Sequence, residues 1–145
     1  MTDKVLRLLP LTEATYYILL ALIEPLHGYG VMQKVEHLSQ GAVRVGPGTL
    51  YGAFTTLEKQ SLIVKVAEEE RRKSYALTPL GRQVLLAQIG RLQVMSQRGE
   101  ILSNVVDRIF EGGDPGGQVN EYGDLRHLRV STGLEAILEA DTRAH

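Results

Sequence analysis

The stretch from Pro47 to Thr78 limits the possible folds more than any other, because two different periodicities meet in it. Between Pro47 and Lys59, the apolar residues Leu50, Phe54 and Leu57 recur at steps of four and three, which puts them on one face of a helix. Pro47 suits the first helical position, where a missing N–H costs nothing. The other face carries Gly48, Thr49, Gly52, Thr55, Thr56 and Lys59. These residues are small, hydroxylated or basic, so the face can approach another surface closely and offer hydrogen bonds. A helix that meets only water usually carries more Glu and Lys.

Just past this helix the pattern changes. Leu62-Ile63-Val64-Lys65-Val66-Ala67 is rich in β-branched residues, Glu68 to Lys73 is a charged hexamer, and Ser74 to Thr78 alternates before Pro79. Two short strands joined by a charged tip are predicted, a β-hairpin. A helix followed at once by a hairpin is the second half of a winged helix-turn-helix. In that unit the helix enters the major groove of DNA and the hairpin reaches the flanking backbone. Arg71, Arg72 and Lys73 suit a wing that contacts phosphate, but Glu68, Glu69 and Glu70 beside them do not. The glutamates either face the bases across the hairpin, or hold them back until DNA displaces them, or belong to a solvated charged turn.

Upstream, Thr12 is an N-cap for a first helix running to Glu24, with Leu11, Ala14, Ile18, Ala21 and Leu22 as its core stripe and Pro25 as its stop. Residues 1–10 form a short arm, in which Lys4 and Arg7 either touch phosphate or are simply solvated. Pro25 to Gly30 is a turn into a second helix, about Tyr29 to Leu38, whose apolar face is Val31, Val35 and Leu38. A nucleotide-loop reading of Gly28-Tyr29-Gly30 is discounted, since no strand is expected before it and no third glycine follows at the right spacing. Ala42 to Gly46 runs extended and is expected to pair with the wing as a short strand.

Downstream, Thr78-Pro79 caps a long helix reaching about Phe110. Leu85, Ile89, Leu92, Met95, Leu102, Val105, Val106 and Ile109 arrive at three- and four-residue steps. A helix of ~30 residues spans ~45 Å, longer than a small winged-helix core can cover. The distal residues Leu92, Met95, Leu102, Val105, Val106 and Ile109 are therefore expected to bury against a partner subunit. The other solution, folding back on the same chain, would need a break at Gly99. Glu111 to Gly117 is a linker. The acidic stretch after it is a short helix on the dimer, a partner-binding tail, or unstructured.

The expected partition is an arm (1–10), a winged helix-turn-helix (11–78), a dimerisation helix (79–111) and a linker with an acidic tail (112–145). The fold class is mainly α with a small β-hairpin wing. Net charge is −1, which taken alone argues against DNA, but residues 61–82 carry +2 and residues 113–145 carry −3. With no cysteine, and with histidines only at 27, 37, 127 and 145, thiolate chemistry and metal-ligand spacing are both absent from the sequence, and no cofactor is expected. No nucleophile–base pair or paired-carboxylate cleft is visible, so an enzyme is not expected. The first apolar stretch is broken at Pro25 and too short to cross a membrane, so a cytoplasmic protein with no membrane partner is expected.

Six fragments in order resemble the PadR family of bacterial transcriptional regulators: Leu19-Leu20-Ala21-Leu22, His27-Gly28-Tyr29-Gly30, Pro47 to Tyr51, Leu57-Glu58-Lys59, Leu62-Ile63, and Tyr75-Ala76-Leu77-Thr78 with Gly81. The resemblance spans about residues 11 to 83. It implies a homodimer that binds a palindromic double-stranded operator and is released by a small-molecule effector, most simply as a repressor. DNA contacts are then expected from Tyr29, Lys34, Gly48, Thr49, Tyr51, Gly52, Thr55, Thr56, Lys59, Arg71, Arg72 and Lys73. Tyr29 contacts phosphate or packs against the recognition helix, and Lys34 faces the backbone or water. Tyr16, Tyr17 and Phe110 would line the effector pocket, or the tyrosines are core and rim packing. With no Trp, the chain cannot build the tryptophan-walled pocket of some multidrug-sensing relatives.

Two departures from the family weigh against a simple transfer. Positions 52, 55 and 56 often carry Arg or Lys in such proteins and are Gly, Thr and Thr here. Ser61 stands where Gly is usual, which would cost on the order of 1 kcal/mol if that residue is left-handed. The alternative reading is a winged-helix protein-interaction module with weak or no DNA binding.

Overall fold

The computed structural model describes residues 2–110, with side chains described as far as Val105. Its elements in order are α1 (Asp3–Arg7), α2 (Glu13–Ala21), β1 (Leu26–His27), α3 (Gly28–Leu38), α4 (Pro47–Lys59), β2 (Ile63–Glu69), β3 (Arg72–Leu77) and α5 (Pro79–Phe110). The chain divides into two units, Met1–Ile101 and Leu102–His145. The expected linker and tail, 112–145, lie outside the described residues.

The core forms where the helical stripes meet. Leu50, Phe54 and Leu57 of α4 are buried, as the spacing predicts, and join Ile18, Leu19, Leu22, Val31, Val35, Leu62, Val84 and Leu85. Each such side chain contributes about 1.5–3 kcal/mol when removed from water. Thr12 caps α2 as expected, accepting a hydrogen bond from the Thr15 N–H at 3.2 Å. The helix stops at Ala21, short of Glu24. The Leu22 N–H bonds to the carbonyls of Ile18 and Leu19, and the buried Leu22 turns the chain inward before Pro25 is reached.

The first residues are more than an arm. Asp3–Arg7 is a turn and a half of helix because Val5, 2% exposed, is drawn into the core. The expected strand at 42–46 does not form. The third strand is instead β1, and the sheet order is β1-β3-β2, all antiparallel, with Leu26 opposite Tyr75 and His27 opposite Ser74. What holds the α3–α4 connection is Ser39. Its buried hydroxyl accepts from the Val43 N–H at 2.9 Å and has the Val43 and Glu36 carbonyls within reach of its proton. With the Val43 backbone tied to the end of α3, the leg has no ladder to offer the wing.

The end of α4 closes in a Schellman pattern. The Leu62 N–H bonds to the Leu57 carbonyl and the Ser61 N–H to Glu58, with Ser61 left-handed at φ 60°. The strain anticipated for Ser61 is present. Thr78 then locks the two ends of the wing together, its hydroxyl donating to the Ser61 carbonyl and accepting from the Gly81 N–H at 3.0 Å. Gly81 is required at this junction, since a Cβ there would collide with the Leu62 carbonyl oxygen. Further along α5, the buried Gln88 accepts from the Leu11 N–H at 2.8 Å and ties this helix to the segment that leads into α2.

Candidate nucleic-acid interface

Burying the apolar face of α4 leaves its other face outward. Gly48, Thr49, Gly52, Thr55, Thr56 and Lys59 are all exposed. The Thr55 hydroxyl donates to the Tyr51 carbonyl at 3.0 Å and that of Thr56 to the Gly52 carbonyl at 3.2 Å. Pro47 stands in the first turn with Gly46 as the N-cap, and Lys59 is the basic residue of the last turn, where the helix dipole favours a cation.

The wing leaves the same end of the fold. β2 and β3 pair from Ile63↔Leu77 to Glu69↔Arg72, with an irregularity between Lys65 and Ala67. Glu70 and Arg71 form the two-residue tip, both left-handed at φ 44° and 72°, as a primed hairpin turn needs. Asn-Gly would serve there without strain. Glu68 faces Lys73 and Glu69 faces Arg72 in the register, the cross-strand arrangement considered from the sequence. The ion pair that forms lies along β2 instead, from Lys65 Nζ to Glu68 Oε2 at 3.1 Å. That hydrogen bond raises the Lys65 pKa and lowers that of Glu68. Among the described residues, Arg71, Arg72 and Lys73 form no ion pair.

Between α4, the start of α3 and the wing lies an open cleft of about 570 Å³. It gathers six of the residues singled out from the sequence: Tyr29, Tyr51, Thr55, Arg71, Arg72 and Lys73. Tyr29 is 61% exposed, so it does not pack away against α4. Tyr51 is 53% exposed and lies across the start of α3, where a Cβ on Gly28 would come within 2.9 Å of its hydroxyl. Gly48, Thr49, Gly52, Thr56 and Lys59 are not in the cleft wall but on the outer face of α4 beside it, and Lys34 is half-buried on α3.

His27, Glu58 and Tyr75 also line the cleft and were not singled out from the sequence. Tyr75 packs 4.6 Å from Phe54, and its hydroxyl pKa is raised, first by burial and then by the Glu58 carboxylate. The sequence signals for Tyr75 were its place in the alternation of Ser74 to Thr78 and in a fragment that resembles the family. His27 and Glu58 stood only inside fragments that resemble the family, with no signal that they meet, since only the fold brings the two to one cleft.

The tyrosines expected at an effector pocket, Tyr16 and Tyr17, are half-buried and meet edge to face at 5.3 Å. Burial raises both hydroxyl pKa values. Neither lines the cleft, and the Phe110 side chain lies outside the described residues. On α5, Leu92, Met95, Leu102 and Val105 are exposed, as are Val94 and Ile101, while the side chains of Val106 and Ile109 lie outside the described residues. No described helix is long and apolar enough to cross a membrane.

Residues 18–87 match the Transcriptional regulator PadR-like family. An uncharacterized 37.1 kDa protein in transposon TN4556 of Streptomyces fradiae is 33% identical over 104 residues, which is 71% of this chain and 27% of that protein. The transcriptional regulator YqjI of Escherichia coli is 35% identical over 72 residues, 50% of this chain and 35% of that protein. The chain thus spans about a quarter to a third of these curated relatives. Among solved structures, H. salinarum RosR superposes with a TM-score of 0.54 at 22% identity, covering 70% of this chain and 96% of that one. A transcriptional regulator from Clostridium thermocellum gives 0.51 at 22% identity, covering 68% and 96%. At such identities the likeness is one of fold.

Proposed function

We propose that this chain, whose residues 18–87 belong to the Transcriptional regulator PadR-like family, is a homodimeric DNA-binding repressor. One observation carries the reading: the exposed small-residue face of α4 and three basic residues of the wing tip flank the same cleft. In a winged helix these are the two parts that meet DNA, the helix in the major groove and the wing on the adjacent backbone. Tyr29 and Tyr51 add hydroxyls at the cleft mouth, where a phosphate would pass. The exposed apolar residues of α5, Leu92, Val94, Met95, Ile101, Leu102 and Val105, supply a face for a second copy of the chain. A two-fold dimer would then address an inverted repeat with half-sites about 34–36 Å apart. Release of the DNA falls to an effector that changes the spacing of the two α4 helices, with the half-buried Tyr16 and Tyr17 as its proposed contacts.

The test is selection of bound duplexes from a random-sequence pool with the full chain. The expected result is an enriched inverted repeat with that spacing. A second reading is favoured by Glu58, whose carboxylate lines the cleft where a phosphate would otherwise be welcome. On that reading the surface binds a protein, and the selection would enrich no sequence at any salt concentration.

A further inference from the structure

We infer that α4 reads thymine by its methyl group, so that the base pairs facing Thr55 and Thr56 in each half-site are A·T pairs with the thymine methyl turned to the helix. The inference rests on the DNA-binding reading above and adds which bases are read and by which atoms. The site itself is fixed by the fold, as the helix that follows the turn and precedes the wing.

A side chain in the major groove discriminates bases by hydrogen bonds or by apolar contact with the thymine methyl. Guanine is read by paired donors from Arg or Lys, and adenine by the amide of Asn or Gln. Between Gly48 and Thr56 the outward face of α4 holds none of these. Threonine offers a hydroxyl and a methyl. Thr55 and Thr56 have both given their hydroxyl proton to a carbonyl one turn back, at 3.0 and 3.2 Å. A hydroxyl has one proton to give, and this bond holds the oxygen against the helix backbone. Each oxygen can still accept from a base amino group, but neither threonine has a proton left to donate, which leaves the γ-methyl as the group suited to thymine.

The neighbouring glycines decide how near a base can come. Gly52 lies three and four residues before the two threonines, and Gly48 one turn earlier, so all four share a face. Cβ atoms built at Gly48 and Gly52 would meet nothing within 4 Å, and neither residue has a positive φ. Packing and backbone conformation therefore leave both positions free to be alanine, which would favour the helix. The property that glycine retains there is clearance. Without those Cβ atoms, the edge of a base pair can lie against the helix backbone and bring its methyl to Thr55 and Thr56.

The experiment takes the duplex enriched by the full chain and replaces each thymine in turn by deoxyuridine, which removes only the methyl. Fluorescence anisotropy reads the affinity. At one or two positions per half-site, uridine should weaken binding about fourfold per methyl, the value of one buried methyl group. A 5-methylcytosine·guanine pair at the same position should recover part of the loss relative to plain cytosine·guanine. The variant T55S/T56S keeps the hydroxyls and drops the methyls, and it should no longer distinguish thymine from uridine. The variant T55V/T56V keeps the methyls and should distinguish them as wild type does. Equal binding of uridine and thymine at every position, or discrimination that survives T55S/T56S and disappears in T55V/T56V, overturns methyl reading while DNA binding stands. If no duplex is enriched, both fall together.

Discussion

The outer face of α4 and the tip of the wing lie on either side of one cleft, yet they are built from opposite materials. The helix face from Gly48 to Thr56 has no charge and stands on a buried stripe of Leu50, Phe54 and Leu57. The tip, Glu68 to Lys73, is wholly charged and exposed and rests on a two-strand ladder with a strained turn. Rigid, close-packed support suits a surface that must match a groove closely. Long basic side chains on an exposed ribbon suit phosphates, where charge matters more than position. On the proposed DNA-binding reading the contrast divides the work: the wing would supply salt-dependent affinity that is indifferent to sequence, and α4 would supply discrimination that is indifferent to salt.

The sharpest way to break this division is to charge the helix face. Gly52→Glu puts a carboxylate where nothing within 4 Å of its Cβ opposes it. Thermal stability should hold or rise by up to about 1 kcal/mol, the helical cost of glycine relative to other residues. Affinity for the selected duplex should fall about 100-fold, since an unpaired charge set against base edges costs several kcal/mol. Differential scanning calorimetry with anisotropy separates the two effects. A variant that binds as wild type would remove α4 from the interface.

Removing wing charge should do less, and differently. Arg71→Ala/Arg72→Ala should weaken selected and scrambled duplexes alike, by roughly tenfold at low salt. The slope of log K against log salt should fall by about one for each phosphate that the variant no longer neutralises. A loss confined to the selected duplex would make the wing a reader of sequence.

A third substitution tests whether the support under α4 is separable from its face. Ser61→Gly relieves the left-handed residue at the end of α4 and should stabilise the fold by about 1 kcal/mol. For a unit of this size that is a rise of roughly 4–8 °C in Tm, with affinity unchanged. The smallest effect concerns Lys65–Glu68. The Glu68 carboxyl is held below its ordinary pKa of 4.5, so whatever the pair contributes is present above that value and lost as pH falls through the lowered one. Lys65 is raised above 10.5, so its share is present below that value and lost as pH rises through the raised one. Both groups are exposed, and Glu68→Gln should leave Tm flat across neutral pH while slightly strengthening binding to any duplex.

Much of this organisation was legible in the residues. The stripe of Leu50, Phe54 and Leu57, the run from Leu62 to Ala67, and Thr78-Pro79 are local signals, and each names its element without help from the rest of the chain. Ser61 could be flagged because a helix end has a known backbone requirement. What stayed hidden depends on distant partners. Leu26–His27 is too short a strand to alternate, and only β3 makes it one. Val5 orders a helix of five residues that no periodicity could declare. Ser39 and Gln88 look like ordinary polar residues until their partners, Val43 and Leu11, are brought to them. The cleft was half legible for the same reason. Its basic tip and its exposed threonine are read along the chain, whereas Glu58 and Tyr75 become walls only when the wing folds beside α4.

The measurement that tests the division most directly is the salt dependence of binding to the selected duplex and to a scrambled one, for wild type and Arg71→Ala/Arg72→Ala. Both duplexes should lose affinity in parallel as salt rises with their ratio constant, and the double variant should lower both slopes equally without changing the ratio. A ratio that collapses with salt, or that the double variant abolishes, would show that sequence is read by the charged wing and contradict the assignment of discrimination to α4.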